Sequence, residues 1–413
     1  VRNSEQQTRS SSAAKEITVT TMNLERASVL PESVLESVAA RSQTYDRENT
    51  FFTEDFEELR QSGYLKIAIP RELGGAGFTL AEVALEQRRL AYRAPATALA
   101  TNMHLYWTGV AADLLRAGDA SLKWLLEEAA AGEIFAAGHG EAGNDLPVMY
   151  SSTRAERVEG GYRFYGHKIF GSLSPVWTRF GLHAMDTSDP ENPKVVHAFM
   201  PRDTKGYRIE ETWDTLGMRA TKSDDTILEG AFIPDKYVVR VLPPDWAGAD
   251  LFVLNIFAWA LLNFANIYAG CAQRAFDLAI KSATKKTSVA MGGQTMAHNP
   301  MVQHIVADMA ITLENLLPHL ERVADDWSSG VNHGGLWASK IIAAKYQAIE
   351  SAKRVLNLGL DVVGGGGAFR GSEFERLYRD VAMGGIHPAS NALTHEVLGK
   401  THLGLLGATP RWG

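Results

Sequence analysis

The residues best suited to chemistry lie near the C-terminus, in the stretch MGGIHPASNALTHEV at positions 383–397. His387 carries an imidazole, which titrates near neutrality and can serve as a base or as a hydrogen-bond donor. The plainer alternative is that a histidine before Pro388, at a helix entrance, simply caps or packs. His395 and Glu396 follow two turns along the predicted helix and are weaker candidates. His104, in NMHLYW, has apolar neighbours and reads as a core histidine. No metal site is expected: the single cysteine, Cys271, excludes a Cys-rich zinc centre as well as an intrachain disulfide.

Two glycine-rich stretches offer phosphate-binding chemistry. VVGGGGAFRG (362–371) has no Lys-Ser/Thr after it and is not a P-loop. Gly364, Gly365, Gly366 and Gly367 therefore either link two helices or let a backbone approach a pyrophosphate closely. LGGAGFT (73–79) lacks the G-x-G-x-x-G spacing and follows a helical region, which argues for a turn and against a dinucleotide-binding fold.

The elements that must position these groups fall into three blocks. Residues 31–132 repeat apolar positions every three or four residues, as in DFEELRQSGYL and LAEVALEQRRLAY. Residues 134–241 switch to short β-rich runs separated by turn clusters such as TSDPENP. Beyond residue 250 long helical patterns return, with Pro318 an expected kink. The expected fold class is α+β: a tail at 1–27, an N-terminal helical domain at 28–133, a β-barrel-like domain at 134–245 and a C-terminal four-helix bundle at 246–413. Residues 251–271 are uncharged and long enough to span a bilayer. Three asparagines and an unbroken run into AQRAFDLAIKSATKK instead favour a helix buried in a bundle, with no membrane partner. A net charge of −7 over 413 residues, with Lys and Arg dispersed, offers no field for nucleic acid. One cysteine and an N-terminal stretch without an apolar core point to the cytoplasm.

With these blocks in place, the chain resembles the acyl-CoA dehydrogenase superfamily from about residue 34 to 406. The resemblance rests on IPRELGGAGFT, GGYRFYGHKIFGS, LGMRATKSDDTILEGAFIP, GCAQRAFDLA and FERLYRD, in that order. It implies FAD bound in extended form, a homotetramer or dimer in which a neighbouring subunit completes the flavin site, and an acyl thioester substrate, such as an acyl-CoA. Carried across, Phe170 and Ser172 meet the flavin ring, while Gly364 to Gly367 and Lys286 meet its phosphates. Gly143 and Asn144 belong to the substrate-side loop GHGEAGND, in which Gly138 replaces a threonine that usually touches the flavin.

In that family a glutamate removes a proton α to the thioester while hydride leaves for flavin N5. Here its usual position falls on Pro388 and its second known location on Ala260, so neither can act. His387 is the expected substitute, for an α,β-dehydrogenation that passes electrons to an electron-transfer partner. The alternative within the same superfamily is a monooxygenase that receives reduced flavin from a partner reductase and activates oxygen. HNPMVQ (298–303) and the His387 segment look like that version. A third possibility is a silent subunit that completes another chain's flavin site.

Overall fold

The computed structural model describes residues 28–146, 148–244 and 250–405. The tail expected at 1–27 lies outside the described residues. Five helices come first: α1 (Glu32–Glu48), α2 (Thr53–Gln61), α3 (Leu80–Arg93), α4 (Pro95–Arg116) and α5 (Lys123–Ala131). LGGAGFT forms the turn into α3, whose first turn is closed by a reciprocal cap between Thr79 and Glu82. Pro95 opens α4, at the one helical position where a missing N–H costs nothing.

Eight strands follow: β1 (Phe135–Gly138), β2 (Arg154–Val158), β3 (Gly161–Gly171), β4 (Arg179–Asp186), β5 (Lys194–Pro201), β6 (Tyr207–Glu210), β7 (Asp224–Pro234) and β8 (Val238–Leu242). They form one sheet in the order β6-β7-β3-β2-β4-β5-β8, with β1 parallel to β4. His183 on β4 stands directly opposite His197 on β5.

The remainder is helical: α6 (Leu251–Lys285), α7 (Pro300–Ser328), α8 (Trp337–Val363), α9 (Glu373–Ala382) and α10 (Asn391–Leu403). The chain is thus helical, then sheet, then helical, and α7 runs unbroken through Pro318. The apolar α6 is the central core helix. Ala258, Trp259, Ala265, Ile267, Tyr268 and Ala269 on it are fully buried. The side-chain amides of Asn255, Asn263 and Asn266 donate to the carbonyls one turn back, while the buried Oδ1 atoms of Asn255 and Asn263 have no partner among the described residues. The buried Arg88 of α3 also donates to Asn266 Oδ1, at 2.9 and 2.7 Å. Helices α4 and α6 touch closely at Gly109, where a Cβ would lie 2.2 Å from the Trp259 ring.

Candidate active site

The strand β3 ends in an irregularity: its register with β7 shifts between Lys168 and Gly171. There Phe170 adopts φ 60°, a left-handed conformation that bulky residues rarely hold outside functional sites. The consequence is an aromatic side chain left 45% exposed, edge-on to Trp213. Phe170 and Trp213 form one end of a largely apolar cavity of about 130 Å³ between the sheet and the helices.

Three elements supply its other walls. Leu99, Met103 and Tyr106 recur at four and three residues along one face of α4. Ile256, Phe257, Ala260, Leu261 and Phe264 do the same on α6. Met383, Ile386, His387 and Pro388, after α9, close the third side, and His139 and Gly140 enter from the loop after β1. Pro388 and Ala260, the two positions where the family resemblance implies a carboxylate, therefore face the same space. Among the described residues of its lining there is no Asp, Glu, Lys or Arg.

His387 is held from three directions. Its Nε2 lies 2.7 Å from the Tyr268 hydroxyl, and its ring stacks on Phe264 at a centroid distance of 4.8 Å. The buried Lys345 of α8 donates to the carbonyls of His387 and Ala389 at 2.9 and 2.8 Å. Burial, with the Lys345 ammonium close by, pushes the imidazole down to about 3. Burial likewise lowers Lys345, to about 8. At neutral pH the ring is uncharged and binds protons weakly.

Ser172 also faces the cavity, and its hydroxyl direction follows from its neighbours. Thr221 Oγ1 donates to the Met218 carbonyl, so it accepts from Ser223 Oγ at 2.7 Å. Ser223 has then spent its only proton, and the 2.7 Å contact with Ser172 must be donated by Ser172. Ser172 Oγ is left with lone pairs to offer. Met218 is fixed in turn by the C-terminal domain, because Asp380 Oδ1 accepts its N–H at 2.6 Å. Gly217 permits this approach, since a Cβ there would lie 2.3 Å from the Arg379 carbonyl oxygen. LGMRATKSDDT and FERLYRD thus meet each other at the cavity's edge.

The loop bearing His139 is anchored by a buried ion pair. Lys168 Nζ lies 2.5 Å from Glu141 Oε1, and neither side chain is more than 1% exposed. Burial alone would raise the Glu141 carboxyl; the Lys168 ammonium and the hydroxyls of Ser151 and Thr153 bring it instead to about 2. The pair is ionised. Behind it stand three histidines whose charged forms burial disfavours. His139 and His197 are both lowered to about 3, and His183 is well below its usual value. His183 Nε2 is 2.9 Å from the Tyr150 carbonyl and must carry its proton there. Its Nδ1 therefore accepts from His139 Nδ1 at 3.1 Å.

The expected site residues separate into groups. Phe170, Ser172 and His387 meet at the cavity. Gly143 and Asn144 do not: they lie farther along the loop, where Asn144 bonds Glu141 Oε2 and the Tyr150 carbonyl. Lys286 and Gly364 lie side by side at the ends of α6 and α8, with the Lys286 ammonium 3.1 Å from where a Gly364 Cβ would stand. A Cβ at Gly365 or Gly366 would meet no protein atom within 4 Å, so their backbone is open to a ligand, while Gly367 packs inward against Val363 and Leu360. This cradle shares no residue with the cavity. His395 and Glu396 lie on α10, bonded to Asn391 and Lys400, and neither lines the cavity. His104 is a satisfied core residue, held by Leu65 O and the Phe135 N–H. Tyr106, His139, Glu141, Lys168, Tyr268 and Lys345 are additional site residues; the inward alternation of Phe164, Gly166 and Lys168 along β3 is a local signal that could have found Lys168.

Both flanking domains match family profiles, the acyl-CoA dehydrogenase N-terminal domain over residues 28–133 and the C-terminal domain over residues 251–393. The chain is 28% identical over 384 residues to an amino sugar nitrososynthase of Streptomyces peucetius, covering 91% of this chain and 92% of that one. It is 26% identical over 376 residues to the cyclohex-1-ene-1-carbonyl-CoA dehydrogenase of Geobacter metallireducens, covering 89% and 94%. In fold it is similar to the dibenzothiophene monooxygenase TdsC of Paenibacillus sp. A11-2, solved with FMN and indole. That superposition has a TM-score of 0.78 at 19% identity and covers 90% of this chain and 95% of the other.

Proposed function

The chain belongs to the acyl-CoA dehydrogenase family of flavoproteins, and from that premise we propose that it is a flavin-dependent monooxygenase and not a dehydrogenase. The carrying observation is the cavity wall: Pro388 and Ala260 both face it, and no carboxylate stands among its described lining residues. His387 does not replace the missing base, because an imidazole held near 3 is a poor acceptor for a proton on carbon.

The residues fit a flavin. The aromatic end formed by Phe170 and Trp213 suits the ring, and the Lys286–Gly364 cradle, with its open backbone at Gly365 and Gly366, suits the phosphates. In keeping with the family resemblance, the reading is FAD shared between two subunits of a homo-oligomer, with the cradle, which shares no residue with the cavity, serving the neighbouring subunit's flavin. When bound and reduced by a partner reductase, the flavin supplies two electrons to dioxygen; one oxygen atom goes to the substrate and the other leaves as water. Ser172, with its proton committed to Ser223, offers an acceptor to a protonated flavin nitrogen, which the reduced ring has and the oxidised ring lacks. His387 and Tyr268 present a neutral hydrogen-bonding pair at the cavity wall that would be available to the oxygen chemistry of a bound flavin, and the apolar walls exclude water.

The test is anaerobic mixing of flavin-loaded protein with a panel of acyl-CoAs, beside aerobic mixing of the reduced protein with oxygen. No acyl-CoA should bleach the flavin, and oxygen uptake should require reduced flavin. Rapid bleaching by any acyl-CoA overturns the reading in favour of dehydrogenation.

A further inference from the structure

We propose that the substrate of this site is a small uncharged molecule with an apolar body and a single hydroxyl or amino group, anchored by Tyr106 and His139. The inference rests on the oxygen-transfer reading for what happens to the substrate, but not for how it is bound.

The polar side chains on the cavity wall can be followed one at a time. Ser172 and Ser223 bond each other, Trp213 Nε1 donates to Met218 O, and His387 bonds Tyr268. Two polar atoms of the lining residues remain without a partner among the described residues: the Tyr106 hydroxyl and His139 Nε2. Each is closed to bulk solvent, and Tyr106 as a whole is only 2% exposed. Buried polar groups left unpaired are costly and rare in folded proteins. Their requirements are complementary. His139 has given its proton to His183, so its Nε2 is a pure acceptor, while the Tyr106 hydroxyl has a proton to give. A hydroxyl or neutral amino group can meet either requirement, because it donates and accepts at one atom.

The other walls exclude the competing classes. With no cation among the described lining residues, a carboxylate or phosphate brought inside loses its hydration without compensation. An alkyl tail threaded in from an acyl thioester leaves the Tyr106 and His139 atoms unpaired. Leu99, Met103, Phe257 and Leu261 favour the apolar body by area alone.

Binding is measured at equilibrium with the flavin-loaded, oxidised protein and no reductant, using para-ethylphenol, ethylbenzene, para-ethylbenzoate and acetyl-CoA. Para-ethylphenol should bind most tightly, ethylbenzene about tenfold more weakly, and the two anions not measurably. Tyr106→Phe, which removes only the unpaired hydroxyl, should weaken para-ethylphenol about three- to tenfold and leave ethylbenzene unchanged. His139→Gln serves as the second variant and should also act on the phenol alone. The proposal is overturned if either anion binds as tightly as the phenol, if nothing in the panel binds, or if both variants leave phenol affinity unchanged. Because no oxygen or reductant is present, selective phenol binding without coupled oxygen uptake rejects the oxygen chemistry alone, and coupled oxygen uptake without phenol selectivity rejects this inference alone.

Discussion

The two histidines on the cavity wall are of one type, both kept uncharged by burial, yet they are held in opposite ways. His139 belongs to a loop tied into the sheet by an ionised pair and by a chain of imidazoles behind it. His387 sits on a turn between helices and is fixed by Lys345 from below and Tyr268 from the side. The first wall draws its rigidity from charge buried in the sheet. The second draws it from two carbonyl contacts and a ring stack. Burial therefore sets the protonation state of each ring, while the partners decide which nitrogen is available to a ligand.

The strongest way to break this comparison is acid. His139, His183 and His197 have folded values depressed below the ordinary 6.5, so the stability they contribute is present above that value and is lost as pH falls toward about 3. Three such groups taking up protons on unfolding contribute about 4 kcal/mol per pH unit around pH 5, and His104 and His387, lowered likewise by burial, add to that slope. Denaturant titrations from pH 7 to 4 should show that fall, and a flat profile means the rings are not buried neutral.

Next in size is Lys168→Met, which strands the Glu141 carboxylate. A loss of about 3–5 kcal/mol is expected, recovered in part by adding Glu141→Gln. Equal stability of wild type and the single variant would show that the first wall does not depend on its ion pair.

His387→Asn addresses the second wall. Product formation should fall about a hundredfold, with oxygen diverted to hydrogen peroxide and stability little changed. The wild-type rate should also lack an inflection near 6.5, because the ring is neutral throughout that range. A clear inflection there would restore His387 as a titrating base.

The smallest effect serves as a control away from both walls. Lys286→Gln should weaken flavin binding about tenfold and leave ligand selectivity unchanged. Changed selectivity would mean that cradle and cavity are not separate.

The three-block fold was legible because each block has its own period, and α6 announced its burial by being apolar on every side. His387, Pro388 and Ala260 were legible by spacing within recognisable motifs. Tyr268 and Lys345 were not, since they lie 119 and 42 residues from His387 and meet it only after the bundle closes. His183 and His197 carried no flag either, because their pairing depends on the β4–β5 register. Lys168 came nearest to being readable: it occupies an inward position on β3, and a lysine there requires a buried counter-charge.

The Glu141 carboxylate accepts hydrogen bonds from Asn144, Ser151, Ser152 and Thr153 as well as from Lys168. Swinging that loop outward would break the contact with Lys168 on β3 and strand an ammonium in the sheet. Entry past the rim at Ile386, which is 53% exposed, would leave that contact intact. Bulk added at Ile386 would then act as a turnstile, slowing arrival and departure in equal proportion while the equilibrium between them stays where it was.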